Sequence, residues 1–404
     1  MTHHDHSPRL SRRAALFTLG GSVAWPLESA LAMQPDTGQL KRKRLVLFRL
    51  HGGNDWLNTL VPYRDPLYRK LRPTLAQPLD KLLPVSDELA LHPRLTEFMK
   101  MFQAGEVAIV QDAGYPDPNL SHFESAAIWD SGDPKQGTQS ATGWWGQVAM
   151  RNRAAFDAAR FDAAAVSFDK NIAFGAGRGV PVLQVNKDVV ATLEAPGPRR
   201  THAGRAAPEA VRVIADMINE GIGVRERFAR RLHGVQSPEW EPFEEPFDIQ
   251  VKLTEWFFSH GVTTPLVRVS QEGFDTHAKQ LASHDELLKA FDSGLARLKQ
   301  GLKAAGVWDD TVIMVHSEFG RRPAENGYGG TDHGTAGPVF LIGGKVGGGI
   351  HGQRAPLDDL DREGNLKFTT DLRAVYSTLV ANLWALPGNP FAANGFAPLP
   401  LRLV

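Results

Sequence analysis

Five stretches of this chain run as apolar strands and stop on polar residues able to hold a metal. Leu45–Leu50 leads to His51 and Asp55, and Val107–Val110 leads to Asp112 and then Ser121-His122. Pro265–Ser270 runs into Asp275 and His277, and Val312–Val315 into Ser317-Glu318. Asp332-His333 lies between that strand and Val339–Ile342. In an open parallel sheet, ligands sit beyond the carboxyl ends of the strands. The five polar ends are therefore expected to converge on one site. Oxygen and nitrogen donors without sulfur suit hard or borderline divalent ions.

The rest of the chain fits that sheet. Asp285–Ala305 reads as a helix, with Leu287, Leu288, Phe291, Leu295, Leu298 and Leu302 as its apolar stripe. Ser283 and Glu286 have the spacing of a capping box. Strands on both sides of this helix make a βαβ unit, which implies parallel pairing. Further helices are expected at Pro93–Gly105 and Asp371–Leu386. Between 157 and 247 the pattern weakens to Ala- and Arg-rich helical pieces, Ala207–Glu220 and Val224–Leu232. That stretch is expected to be a helical insertion or cap.

Length and composition exclude several function classes. The chain has 404 residues, room for one large α/β domain or two smaller ones. Lys+Arg and Asp+Glu are both 45, which removes the basic bias of a nucleic-acid binder. The chain contains no cysteine, so thiolate catalysis, disulfides and iron–sulfur ligation are out. The N-terminus reads as an address. Ser11-Arg12-Arg13 precedes the apolar run Leu16–Trp25, and Ala30-Leu31-Ala32 resembles a cleavage site. Residues 1–32 are thus expected to be a twin-arginine signal, read by the twin-arginine export machinery. The mature protein would work in the periplasm or outside, without a transmembrane anchor.

Each candidate residue also has a plain structural reading. Asp55, in Gly52-Gly53-Asn54-Asp55, is either a metal ligand or a turn aspartate, and Asn54 competes for the ligand role. Ser121 is either a nucleophile at a helix N-terminus or an N-cap completed by Glu124. Asp275 and His277, two apart on an extended segment, share a face, with His284 nearby. Glu318 can bind metal, and Arg321 or Arg322 can grip an anion through the guanidinium fork. Asp332-His333 sits between glycines as a compact ligand pair.

The order Asp, Ser, Asp/His, acid after a strand, His resembles the alkaline phosphatase/sulfatase superfamily. More closely, the chain resembles a twin-arginine-exported bacterial family described only as a domain of unknown function. Five segments carry the resemblance: Gly52–Asn58, Ser121–Glu124, Phe274–His277, Ser317–Arg321 and Gly330–Gly334. It implies a three-layer α/β/α sandwich with a mainly parallel central sheet, spanning residues 33–404 as one domain. It implies that Asp55, Ser121 and Glu318 surround one metal, and Asp275, His277 and His333 another. Ser121 stands at the nucleophile position. The ions, one or two, would be divalent, zinc first, with magnesium, manganese or calcium as alternatives.

The chain also departs from that pattern. Glu318-Phe319 replaces an Asp-His pair, and Asp275 and His277 are closer than usual. No Cys or Ser stands in a C/S-x-P-x-R context, which argues against formylglycine chemistry. The expected function is an exported metal-dependent hydrolase of a small-molecule phosphate or sulfate ester, with Ser121 as nucleophile and Arg321 on the anion. The rival is a catalytically degenerate binding protein for an anionic or glycan ligand. An exported oxidoreductase ranks last, because no G-x-G-x-x-G follows the first strand.

Overall fold

Leu45, Leu47 and Arg49 point to one side of the first strand, and Val46, Phe48 and Leu50 to the other. All six are buried. A strand apolar on both sides must lie inside a sheet covered on both faces, and the computed structural model shows that arrangement. It describes residues 36–204, 206–242 and 244–404; the signal expected at 1–32 lies outside them. Residues Asp36–Val404 form one compact unit.

In chain order the main elements begin with β1 (Arg44–Leu50), α1 (Thr96–Gln103), β2 (Val107–Gly114), α2 (His122–Ser131), α3 (Trp144–Arg151) and α4 (Arg153–Ala159). Then come β3 (Ala165–Ser167), β4 (Val182–Gln184), α5 (Glu209–Arg231), α6 (Pro246–Ser259), β5 (Leu266–Gln271) and α7 (Gln280–Ala304). The chain continues with β6 (Thr311–His316), β7 (Arg321–Glu325), β8 (Thr331–His333), β9 (Gly337–Ile342), β10 (Gly349–His351), β11 (Thr370–Asp371) and α8 (Leu372–Thr378).

Nine strands form the central sheet in the order β10-β2-β9-β6-β1-β5-β3-β4, with β11 beside β2. All of its pairs are parallel except the two made by β9. The fold is therefore mixed α/β around a large, mainly parallel sheet. Helices α1, α5, α6 and α7 pack on the face of Val46 and Phe48. Helices α2, α3 and α8 cover the face of Leu45 and Leu47.

Several local expectations shift. Helix α7 starts at Gln280, before the Ser283–Glu286 box, so Ser283 is interior to it. The two helical pieces expected between 207 and 232 are the single helix α5. The 157–247 stretch is not only helical, because β3 and β4 extend the sheet at its edge. Each has three residues, too few for an alternating pattern to show. Strand β9 runs antiparallel, which places the chain just before it at the carboxyl ends of β1, β5 and β6. That reversal carries His333 to the same end of the sheet as the other candidates.

Candidate metal centre

The loops after β1, β2, β5 and β6, together with the β7–β8 hairpin, meet at this end of the sheet. Gly52 lets them meet closely. Its φ is 118°, and a Cβ there would stand 2.4 Å from the backbone nitrogen of Asp275. Only glycine fits that approach.

Three side chains converge. One ring nitrogen of His122, one of His333 and one carboxylate oxygen of Asp275 lie within 4.8 Å of one another. The two histidines are held by their far nitrogens. His122 Nδ1 is 2.8 Å from Glu318 Oε1, and His333 Nδ1 is 2.8 Å from the Leu120 carbonyl. Each ring is thereby fixed with Nδ1 donating and Nε2 free to offer a lone pair, the usual support of a metal-bound histidine. His122 Nε2 is buried without a hydrogen-bond partner, its nearest acid being Asp275 Oδ2 at 3.5 Å. His333 Nε2 lies 3.1 Å from Asp275 Oδ1 and 2.9 Å from His277 Nε2. Phe319 backs both histidine rings, with centroids at 4.8 and 4.7 Å.

Donor atoms on a tetrahedral ion stand about 3–3.5 Å apart; the two histidine contacts to Asp275, at 3.1 and 3.5 Å, fall in that range, and the whole trio lies within 4.8 Å. The buried, partnerless nitrogen fits as well, since such a group ordinarily needs a hydrogen-bond or metal partner. His277 stands beside this trio as a candidate fourth ligand. It is 45% exposed, and its Nε2 is 3.0 Å from Asp275 Oδ1. Asp332 approaches the opposite nitrogen of His277 at 3.7 Å.

Electrostatics keep the acids ionised. Burial by itself would raise the Asp275 pKa, but the hydrogen bond and charge of Arg321 overcome it and hold the group at about 2. Glu318 is fully buried, which also pushes upward. The His122 hydrogen bond and the nearby His51 and Arg49 charges bring it down to about 2. Burial lowers the His333 pKa, against the opposing pull of Asp275 and Leu120. A neutral, ligand-ready imidazole is thereby favoured. His51 lies at the rim, paired with Glu272 at 2.5 Å, and that bond raises its pKa.

Other sequence candidates take different places. Asp55 is fully buried, and Arg72 Nη1 contacts both its oxygens at 2.9 and 2.6 Å, while Gln280 donates to Oδ2. Its lone pairs are taken, so it is a buried structural anion here and not a member of the cluster. Asn54 is no substitute, since it accepts from His284 Nε2 at 2.9 Å and donates to Thr59. His284 is buried inside α7, and burial lowers its pKa to about 4. Glu318 supports His122 and accepts from the Gly52 amide at 2.8 Å, so it stands behind the donor set.

Arg321 also changes role. It is buried, and its guanidinium donates to the carbonyls of Gly52, Gly53, Phe274 and Thr331 and to Asp275 Oδ1. It clamps three loops together and has little left for a substrate anion. Ser121 is exposed at the N-cap of α2, but its hydroxyl makes no cap bond. Glu124 turns to Thr138 and does not complete a capping box. His122 was not among the expected ligands. Its local signal is its place beside Ser121 in the Ser121–Glu124 segment.

The protein-family model described as "Protein of unknown function (DUF1501)" matches residues 259–379, a span that includes Asp275, His277, Glu318, Arg321 and His333. No curated protein matches the chain in sequence. Solved structures similar to the chain include the C-terminal periplasmic domain of EcEptC from Escherichia coli in complex with Zn. It is 10% identical, with coverage of 89% of this chain and 86% of that one and a TM-score of 0.42. A protein in the alkaline phosphatase superfamily from Vibrio parahaemolyticus is 12% identical, covering 87% and 68%, with a TM-score of 0.38. The lipoteichoic acid synthase LtaP from Listeria monocytogenes is 13% identical, covering 87% and 74%, with a TM-score of 0.35.

Proposed function

We propose that this chain is an exported metal-dependent hydrolase of a phosphate ester, with sulfate esters as the related substrate class. The observation that carries the reading is the convergence of His122, His333 and Asp275, with each histidine oriented from behind. A divalent ion, zinc first and magnesium, manganese or calcium as alternatives, would supply Lewis-acid chemistry at that point. His277 is the reserve ligand. Ser121 precedes His122 in sequence, and its exposed hydroxyl is free of a cap bond, as a nucleophile requires. It sits at the N-terminus of α2, where the helix dipole favours an anion. Export rests on the twin-arginine pattern of residues 1–32; among the described residues no helix is long and apolar enough to cross a membrane.

One observation favours the rival reading of a non-catalytic anion or glycan binder. Asp55 and Arg321, expected to serve metal and substrate, are both engaged inside the protein. Turnover separates the two. Purified protein should cleave p-nitrophenyl phosphate or p-nitrophenyl sulfate, lose the activity to a chelator and lose it again in Ser121→Ala. If Ser121→Ala keeps full turnover, the nucleophile assignment fails. If the metal-loaded protein cleaves neither ester, the binding reading takes over.

A further inference from the structure

A cleft of about 680 Å³ opens between α4 and α5, a volume within the range of small-molecule sites. Phe161 and Val180, which line it, precede β3 and β4, so it lies at the amino ends of strands whose carboxyl ends face the metal centre. We propose that this cleft is a second binding site, one that takes an amphipathic organic anion.

The chemistry of its walls carries the assignment. Phe156, Phe161 and Val180 give it an apolar wall. Among its charged residues, Arg153 is paired with Asp157 at 3.1 Å and approaches Glu220 at 3.7 Å, and Arg200 is paired with Glu226 at 2.8 Å. Two guanidiniums remain. Among the described residues none pairs with that of Arg160. Arg227 is half-buried and donates only its Nε, to the Asp162 carbonyl at 3.0 Å. Asp216 and, because Arg153 is already bonded to Asp157, Glu220 are the lining carboxylates set against them. An apolar wall beside two uncommitted, forked cations suits a carboxylate, sulfonate or phosphate carried on a hydrophobic body.

Arg160 holds a left-handed conformation, φ 51°, so Arg160→Gly removes its charge while easing the backbone. This gives a variant that folds at least as readily as wild type. The probe is 8-anilinonaphthalene-1-sulfonate, followed by fluorescence on the folded full chain, with uncharged N-phenyl-1-naphthylamine beside it. The expected result is saturable binding of one sulfonate, at least tenfold weaker for the uncharged probe. Arg160→Gly combined with Arg227→Gln should weaken the sulfonate at least tenfold, and Asp216→Asn should tighten it severalfold. Equal affinity in the arginine variants, or no saturable binding, overturns the proposal. So does binding that vanishes in Ile214→Ser, because Ile214 lies on the exposed apolar stripe of α5 outside the cleft. None of these readouts depends on metal or ester turnover.

Discussion

Two acid–histidine groups lie close together in this fold and behave oppositely. Asp55 and His284 are buried; Arg72 and Gln280 take the Asp55 oxygens and Asn54 takes His284 Nε2, leaving His284 Nδ1 enclosed without a partner. Asp275, His122 and His333 stand at the sheet's carboxyl end, with Asp275 49% exposed and one histidine nitrogen unpartnered. Both groups set an acid from the loop after a strand against histidine. What differs is the carboxylate: both Asp55 oxygens are held by Arg72 and Gln280 inside the fold, whereas Asp275 is half exposed and faces the Nε2 atoms of His122 and His333. The first group holds the loops in place, and the second is left able to bind.

The largest expected effect breaks the first group. Arg72→Met leaves Asp55 as a buried, unpaired carboxylate, and removing one partner of a buried pair costs about 3–5 kcal/mol. Denaturant unfolding should show that loss. Asp275→Ala should cost roughly 1 kcal/mol or less, since Arg321 retains its carbonyl acceptors. A large loss in Asp275→Ala and a small one in Arg72→Met would reverse the contrast.

Next in size is a pH effect at Glu318, whose folded pKa is depressed from 4.5 to about 2. A depressed carboxylate contributes stability that is present above its unfolded pKa and lost as pH falls through the folded one. Stability should therefore decline between about pH 4.5 and pH 2, by on the order of 3 kcal/mol from this group. Glu318→Gln should flatten that limb in acid unfolding curves while also weakening metal binding through a loosened His122. An unchanged acid limb in Glu318→Gln would show that the Glu318–His122 contact does not form.

A smaller effect separates ligands from supports. His333→Ala should lower metal affinity more than His277→Ala, because His277 is 45% exposed and, among the described residues, no group within hydrogen-bond distance holds its Nδ1, whereas Leu120 fixes His333 from behind. Isothermal titration with zinc reads the order. Smallest of all is Ser121→Ala, expected to change stability by less than about 0.5 kcal/mol, because its hydroxyl caps nothing. A thermal shift of several degrees would mean that the hydroxyl is structural after all.

The apolar runs at 45–50, 107–110, 265–270, 312–315 and 339–342 are strands in the structure, and the segments beyond them bring His122, Asp275 and His333 together, while Asp55 and Asp112 are engaged elsewhere. That much follows from local pattern, because buried strands are written in consecutive residues. The division of labour at the site does not. Arg72 reaches Asp55 from beyond a short helix, and Arg321 turns inward to carbonyls on three loops. Such choices depend on which long side chain arrives first, and spacing along the chain does not encode them. His122 was visible beside Ser121, but its link to Glu318 spans 196 residues. The antiparallel course of β9 likewise depends on pairing across the sheet.

The most direct test is divalent metal content of the purified, folded protein, measured by mass spectrometry for wild type, His122→Ala and Asp275→Ala. At least one equivalent in wild type, lost in both variants while both remain folded, is the result expected. Metal-free wild type that takes up no zinc on titration would contradict the account, as would stoichiometric metal that both variants retain.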